Sequence, residues 1–228
     1  MHLVFSSMTS RVLTLVFAPL SLAAASLASA QDLPDEKPFR WHVEGGYSVT
    51  TGRTRDYLDN GFILSGGVDW RQPGSQFGLR AQAHLSVHPA SDKLIELGAQ
   101  QTQLRVDDGS GTLLGLDLNG VLNVPLRAGK RAYLTAGVGV DRRRIELTQT
   151  VLLGGLYCDY WWGYCGFGVV PGDVLVARTS TTRLSWNGGV GVEFPVRSGG
   201  SWFLQASYRR IETPVPTVYV PVQVGFKY

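Results

Sequence analysis

Ionisable side chains recur at alternate positions in this chain, a spacing that puts them on one face of an extended strand. Arg80 and His84 are an example, with Leu79, Ala81 and Ala83 on the opposite face. An imidazole beside a carboxylate can transfer protons in catalysis, but no nucleophile, histidine and acid stand at a suggestive spacing. We expect these groups to pair as a polar interior instead. The set is Glu44, Asp69, Arg80, His84, Asp117 and Glu193.

The chain has two cysteines, Cys158 and Cys165, which enclose a short aromatic segment. The spacing does not fit a zinc site, because no paired Cys or His stands nearby. In an exported protein a disulfide is expected here, and in the chain-entropy model so small a ring stabilises the ordered loop by about 2.5 kcal/mol. The ring either protects a long loop or presents its aromatics as a rigid binding surface. The aromatics are Tyr160, Trp161, Trp162 and Tyr164.

Eight segments show the period of two that is typical of strands with two different faces. In the last one, Val218, Val220, Val222 and Val224 share a face that ends in Phe226 and Tyr228. The opposite face holds polar or small residues. The eight segments are 40–50, 61–71, 76–87, 113–126, 131–141, 182–194, 201–210 and 218–228.

The connections between these segments alternate in length. Those at 71–76, 126–131 and 195–201 are tight and contain Pro or Gly, whereas most of the others are long. Residues 93–106 permit a ninth strand, but an odd number of strands would put the two ends of the chain on opposite sides of the membrane. We therefore predict an outer loop there.

The N-terminal residues have the three parts of a secretory signal peptide. A short basic start is followed by an apolar run, 12–27, and by the small residues Ala28, Ser29 and Ala30. We expect residues 1–30 to be cleaved, 31–39 to form a short periplasmic segment, and 40–228 to form the folded domain. No later segment has the roughly 20 apolar residues of a membrane helix, so in a bilayer the chain must form a closed barrel.

With these features the chain resembles the small outer-membrane barrels of the OmpA, OmpX and opacity-protein type. The resemblance implies an all-β fold, an eight-stranded antiparallel transmembrane β-barrel, with no enzymatic activity and no cofactor. It also implies that Phe226 and Tyr228 form an assembly signal read by the barrel-assembly machinery. The alternative is a soluble eight-stranded calyx with its apolar faces inward, since periodicity does not distinguish inward from outward.

In such a barrel the outer loops serve adhesion or envelope integrity, and the partners are outer-membrane lipid, lipopolysaccharide and a host or surface ligand. The formal net charge of +3 gives no sign of a nucleic-acid partner. A lipid-modifying enzyme and a narrow pore are the alternatives. Arg80 is expected to pair inside the barrel with Glu44, Asp69 or Glu193, because an unpaired interior charge is costly. Candidates for lipopolysaccharide phosphate at the outer rim, where ordinary solvation is the other interpretation, are Arg142, Arg143, Arg144, Arg209 and Arg210.

Overall fold

Eight antiparallel strands pair in chain order, and the last returns to the first to close a barrel. The computed structural model describes residues 37–228 except 160, 162, 197 and 198, and only the backbone at 128, 153, 157, 159, 164 and 170. The proposed signal peptide, 1–30, lies outside the described residues. The strands are β1 Phe39–Thr50, β2 Gly61–Arg71, β3 Phe77–Pro89, β4 Asp108–Pro125, β5 Arg131–Asp159, β6 Tyr164–Pro195, β7 Ser201–Ile211 and β8 Thr217–Lys227. This confirms the predicted eight-stranded antiparallel barrel.

The apolar side chains of the barrel point outward. On β4, Leu116 and Leu118 are 68% and 56% exposed, whereas Asp117 and Asn119 between them are buried in the lumen. The soluble calyx is therefore wrong, because its apolar faces would fill the interior. A polar interior and an apolar exterior suit a barrel surrounded by lipid.

Short turns and long connections lie at opposite ends of the barrel. The turns that join β2 to β3, β4 to β5 and β6 to β7 lie at the end where Trp41 exchanges two backbone hydrogen bonds with Tyr228, each 3.0 Å. In outer-membrane barrels the short turns face the periplasm. We therefore call this end the periplasmic end and the other the outer end.

The largest departure from the predicted strands lies in β5 and β6. Residues 141–182 were expected to form a loop, yet the two strands remain paired from Arg131↔Glu193 to Asp159↔Tyr164. The segment is rich in Val, Thr and Leu, and Val and Thr favour extended backbone. The pairing shifts by one residue between Leu147 and Thr148, where β6 has a bulge.

The connection between β3 and β4 contains a helix, α1, Asp92–Thr102. It is an outer connection as predicted, and the alternative of a ninth strand is wrong. Ser91 caps the helix by accepting a hydrogen bond from the Leu94 backbone. Leu94 and Ile95 pack against a buried cluster that includes Val106 and Leu147. The cap and the helical spacing of these apolar residues were visible in the sequence.

Across the part of the chain described above, no helix is both long and apolar enough to cross a membrane.

Two exposed leucines, one in the apolar band of the barrel and one beyond the barrel, allow a test of the lipid-facing surface. Leu118→Arg places a cation near the middle of the apolar band and should lower the free energy of unfolding by about 2–4 kcal/mol. Leu152→Arg changes a leucine that is 75% exposed beyond the barrel and should change it by no more than about 0.5 kcal/mol. Guanidinium unfolding of protein reconstituted in lipid vesicles measures both. Equal effects would contradict the outward orientation of the apolar face.

Candidate functional site

A two-stranded ribbon projects from the outer end of the barrel. Pairing of β4 with β5 ends at Asp108↔Thr148, and pairing of β6 with β7 ends at Ser185↔Ile211. Beyond Thr148 the strands pair only with each other. We call residues 149–174 the outer ribbon. At about 3.3 Å per residue its β5 strand is roughly 35 Å long.

At the base of the outer ribbon, Thr150 bonds both to the neighbouring loop and to the opposite strand of the ribbon. Asp107 Oδ2 accepts from the Thr150 backbone at 3.1 Å, and Thr150 Oγ1 donates to Asp173 Oδ1 at 2.9 Å. The hydrogen bond that Arg105 donates to Asp107 lowers the pKa of that carboxyl. Asp107 therefore stays ionised, which strengthens its bond to the ribbon.

The tip of the outer ribbon is closed by the predicted disulfide between Cys158 and Cys165. The two cysteines are direct cross-strand partners with their Cα atoms 4.1 Å apart. Trp161 in the turn is 89% exposed. Of the other predicted tip aromatics, Tyr160 and Trp162 lie outside the described residues, and only the backbone of Tyr164 is described.

One face of the outer ribbon carries an exposed apolar stripe that the sequence analysis missed. Leu156 pairs across the ribbon with Phe167, and Leu152 pairs with Pro171. Phe167 is 91% exposed and Leu156 is 62% exposed. Contiguous apolar surface of this kind marks interaction sites in folded proteins. The alternating residues were present in the sequence, but the expectation of an irregular loop concealed their common face.

The rim arginines divide between the two faces of the barrel wall. Arg142 and Arg144 point outward, where Arg142 Nε donates to Ser180 Oγ at 3.1 Å and Arg144 pairs with Glu146 at 2.7 Å. Arg210 pairs with Glu212 at 2.9 Å. Side chains of consecutive residues alternate across the wall, so not all five candidates can face the same side.

Two of the predicted rim arginines turn inward. Arg143 donates to Thr217 Oγ1 at 2.9 Å. Arg209 is buried in the lumen and lies 2.7 Å from Asp117 Oδ2. These placements correct the expectation that both arginines are available to lipopolysaccharide phosphate.

The predicted lumen charges form a layer near the periplasmic end, which we call the inner charge layer. Arg80 makes two hydrogen bonds to Asp69, at 2.6 and 3.1 Å, and donates to Gln205 at 2.8 Å. Lys227 lies 2.9 Å from Asp69 and 3.0 Å from Glu193. Glu44, which was also predicted to be a partner of Arg80, bonds to Gln82 instead.

The inner charge layer also contains residues that the sequence analysis did not assign to it. Arg40 lies 2.7 Å from Glu193, a residue 153 positions away. The rings of Tyr133 and Phe203 lie against the cations of Arg80 and Lys227, with centroid distances of 5.0 to 5.8 Å. These cation–π contacts and ion pairs together satisfy the buried cations.

A middle charge layer surrounds His84. Its Nδ1 lies 3.0 Å from Asp117 Oδ2, and its Nε2 lies 2.8 Å from Asp141 Oδ1. Glycine at position 115 makes room for it, because a Cβ there would collide with the His84 ring and with Asp141. Above this layer a buried apolar cluster crosses the lumen towards the outer end. Its members are Ile63, Leu113, Ile211 and Tyr219.

The lumen contains one serine–histidine pair among the described side chains. Ser86 Oγ lies 2.6 Å from His88 Nε2, and His88 Nδ1 contacts the backbone oxygen of Asp59. Both residues are completely buried, so no substrate reaches this serine in the observed state. Within the described ranges, no group of three His, Cys, Asp or Glu side chains is arranged to hold a metal ion.

Comparison with known proteins agrees with the observed architecture. Residues 20–220 match a family model described as the outer membrane protein beta-barrel domain. Neisserial surface protein A superposes with a TM-score of 0.51 at 12% identity, covering 84% of this chain and 96% of that chain. A major outer membrane protein from Thermus thermophilus gives 0.49 at 14% identity, covering 84% and 99%.

Ail of Yersinia pestis, solved in complex with the heparin analogue sucrose octasulfate, gives a TM-score of 0.43 at 11% identity, covering 84% and 100%. No curated protein sequence matches the chain. At 12% identity the likeness to Neisserial surface protein A establishes the fold alone.

The contacts of Arg80 predict a strong dependence of stability on this residue. Arg80→Met leaves Asp69 and Gln205 without their buried guanidinium partner and should lower the free energy of unfolding by about 3–5 kcal/mol. Arg127→Met removes an exposed cation at the same end and should have an effect below about 0.5 kcal/mol. Denaturant unfolding in lipid vesicles compares the two variants. If Arg80→Met unfolds like the Arg127 control, the inner charge layer does not hold the barrel together.

Proposed function

The chain belongs to the outer membrane protein β-barrel domain family, and on that premise we propose that it is a non-enzymatic surface protein whose outer ribbon binds an extracellular partner. The family locates the protein in the outer membrane. The observation that carries the proposal is the apolar stripe of the outer ribbon, formed by Leu152, Leu156, Phe167 and Val169. An isolated two-stranded ribbon is marginally stable in water, and exposing such a stripe on it is costly unless a partner covers the stripe.

The disulfide supports a binding role for the ribbon. It joins β5 to β6, with Trp161 in the turn between the two cysteines and Phe167 two residues after Cys165. Both rings are therefore presented on a cross-linked scaffold. Preorganised aromatic side chains are the usual energetic centres of protein interfaces. The chemistry of the stripe favours a protein ligand, such as a host or surface protein, that offers apolar side chains.

Lipopolysaccharide is the second proposed partner, and its site lies closer to the membrane than the outer ribbon. Arg142, Arg144 and Arg178 point outward between the apolar band of the barrel and the outer ribbon. Glu146 lies within 2.7 Å of both Arg144 and Arg178, so the group keeps a net positive charge. Guanidinium groups in this position suit lipid phosphates in the outer leaflet.

The layers inside the barrel argue for a structural lumen in place of the enzyme and pore alternatives. The inner and middle charge layers and the apolar cluster above them follow one another along the lumen. An eight-stranded barrel is just wide enough for such side chains to fill. The buried Ser86 and His88 pair has no route to a substrate, and we infer that the lumen acts as a plug.

We propose that the chain reaches the outer membrane after cleavage of residues 1–30, with the short segment before β1 left in the periplasm. The barrel then begins at Phe39, one residue before the predicted boundary. The barrel-assembly machinery would read Phe226 and Tyr228. Two ring contacts at the end of the closing strand support a role for these aromatics. Phe226 packs on Trp202 with ring centroids 5.1 Å apart, and the Phe226 and Tyr228 rings stack at 6.3 Å.

The assembly proposal predicts that Tyr228→Asp slows insertion strongly, because it places a charge at the terminal aromatic of the closing strand. Tyr47→Asp is the matched control, since Tyr47 is also an outward tyrosine, 46% exposed, on the neighbouring strand. Pulse-labelling followed by heat-modifiable gel migration of outer-membrane fractions measures insertion. Equal slowing in the two variants would indicate a general cost of charge and no signal at the C-terminal residue.

The binding proposal is tested with protein in lipid nanodiscs over an immobilised extracellular-matrix protein preparation. We expect Leu156→Ser combined with Phe167→Ser to weaken binding by at least about tenfold, or about 1.4 kcal/mol. Cys158→Ser combined with Cys165→Ser should weaken it by a smaller factor, because it loosens the scaffold but keeps the stripe. Val215→Ser, in the β7–β8 connection, is the control for an exposed outer apolar residue.

All these variants should retain heat-modifiable migration, since the outer ribbon and the β7–β8 connection both lie outside the paired strands of the barrel. Binding that is unchanged in the Leu156 and Phe167 double variant, or reduced as much by Val215→Ser, would contradict the role of the stripe.

A further inference from the structure

The outer ribbon has two long edges beside which no strand lies in the described part of the chain. On the β5 side, the pairing with β4 ends at Asp108↔Thr148. On the β6 side, the pairing with β7 ends at Ser185↔Ile211. The backbone N–H and C=O groups that point away from the ribbon are therefore open to another strand, and edges of this kind readily accept one.

Hydrogen bonds at the base of the ribbon show which β5 residues point to the open edge. The Thr148 carbonyl accepts from the Asp107 backbone at 3.0 Å, and the Thr150 N–H donates to the Asp107 carboxylate at 3.1 Å. Both groups point to the side on which β4 lies. The backbone direction alternates along an antiparallel strand, so every second residue after Thr150 points the same way. These residues are Leu152, Gly154, Leu156 and Cys158.

The two edges of the ribbon differ in what protects them. Pro171 is the cross-strand partner of Leu152, so its backbone points away from the ribbon on the β6 side, where proline offers no N–H. Asp173, two residues further, adds an exposed carboxylate to that edge. Proline and charge are common means of preventing strand addition. On β5, no proline or charged residue lies between Leu152 and Cys158, so this edge is the open one.

A third strand beside β5 would meet two needs of the ribbon. A two-stranded hairpin is marginally stable in water, whereas three strands with an apolar face are stable. Leu152 and Leu156 carry part of the apolar stripe, so an added strand would place its alternate side chains next to them. Lipid does not meet these needs, because unpaired backbone groups do not enter hydrocarbon. The occupant that fits this edge is therefore an extended polypeptide.

We propose that the β5 edge of the outer ribbon, from Leu152 to Cys158, binds an extended segment of the extracellular protein partner by strand addition. This inference rests on the proposed function, because it specifies how that partner is held. The incoming strand takes the position beside β5 that β4 occupies closer to the barrel. Backbone hydrogen bonds supply affinity, and apolar residues at every second position of the partner cover Leu152 and Leu156.

A proline substitution can remove one edge N–H without removing a side chain from the stripe. Gly154 lies at the centre of the β5 edge, and a Cβ there would meet nothing within 4 Å. Gly154→Pro therefore deletes one outward donor and keeps the pairing with β6. Thr182→Pro is the matched control on the other edge, outside the stripe. Its N–H has the same direction as the Leu184 carbonyl, which accepts from the Glu212 backbone at 2.9 Å.

The first experiment measures binding of both variants, in nanodiscs, to the immobilised extracellular-matrix protein preparation. We expect Gly154→Pro to weaken binding by about tenfold and Thr182→Pro to leave it unchanged. Heat-modifiable migration and an oxidised Cys158–Cys165 pair establish that barrel and ribbon are folded. Unchanged binding by Gly154→Pro, with loss in the double variant of the stripe, would overturn strand addition but not the role of the stripe. Equal weakening by the two prolines would also overturn strand addition.

The second experiment measures amide hydrogen exchange in the wild type and needs no identified partner. The probe is a short blocked peptide of alternating Thr and Val, and a copy with every amide N-methylated is the control. We expect the peptide to slow exchange at Leu152, Gly154 and Leu156 by about tenfold. The methylated copy should have no effect, because it cannot donate backbone hydrogen bonds.

Two results of the exchange experiment would overturn the edge assignment. One is unchanged exchange in the presence of the unmethylated peptide. The other is slow exchange at the same amides without peptide, which would mean that a second copy of the chain already covers the edge. The exchange measurement does not use the matrix preparation, so failure of the edge assignment is distinguishable from failure of the proposed function.

Discussion

The structure depends on the pairing of β8 with β1, which runs from His42↔Lys227 to Thr50↔Tyr219. In lipid an unpaired backbone N–H or C=O costs several kcal/mol, so a sheet survives there only when it has no free edge. Closure puts strict limits on the rest of the chain. Every residue of a strand must face either the bilayer or a narrow lumen, and the alternation of side chains leaves no third environment.

The lumen shows how that constraint is met. Arg80, Asp69, Lys227 and Glu193 come from four different strands, yet closure brings them into one layer with ion pairs of 2.6 to 3.0 Å. Buried charges tolerate this position because each has an oppositely charged neighbour and further hydrogen bonds. These ion-paired side chains also occupy the space through which a solute would pass. A lumen filled in this way favours a plug over a pore.

The features connected with function lie where the regular barrel is interrupted. β5 and β6 continue past their neighbours, and the resulting outer ribbon carries apolar side chains where no lipid is expected. At the other end the row containing Gly120 and Ala136 lacks large side chains, which leaves a depression in the lipid-facing wall. The outer ribbon and this row of small residues both depart from the uniform apolar band that a barrel needs for insertion alone.

The period of two by itself determined the eight barrel strands and their two faces. The disulfide pair followed from the cysteine count, because the chain has only two. Period depends on backbone geometry, which is local, so residues such as Arg80 and His84 could be assigned to one face correctly. Local geometry does not say which face is inside. The folded barrel shows that the polar face lines the lumen and the apolar face points outward. Likewise, only the register brings Arg40 to Glu193, turns Arg209 towards Asp117, and leaves the outer ribbon without other neighbours. These contacts join residues far apart in the chain, and no local pattern encodes their distance.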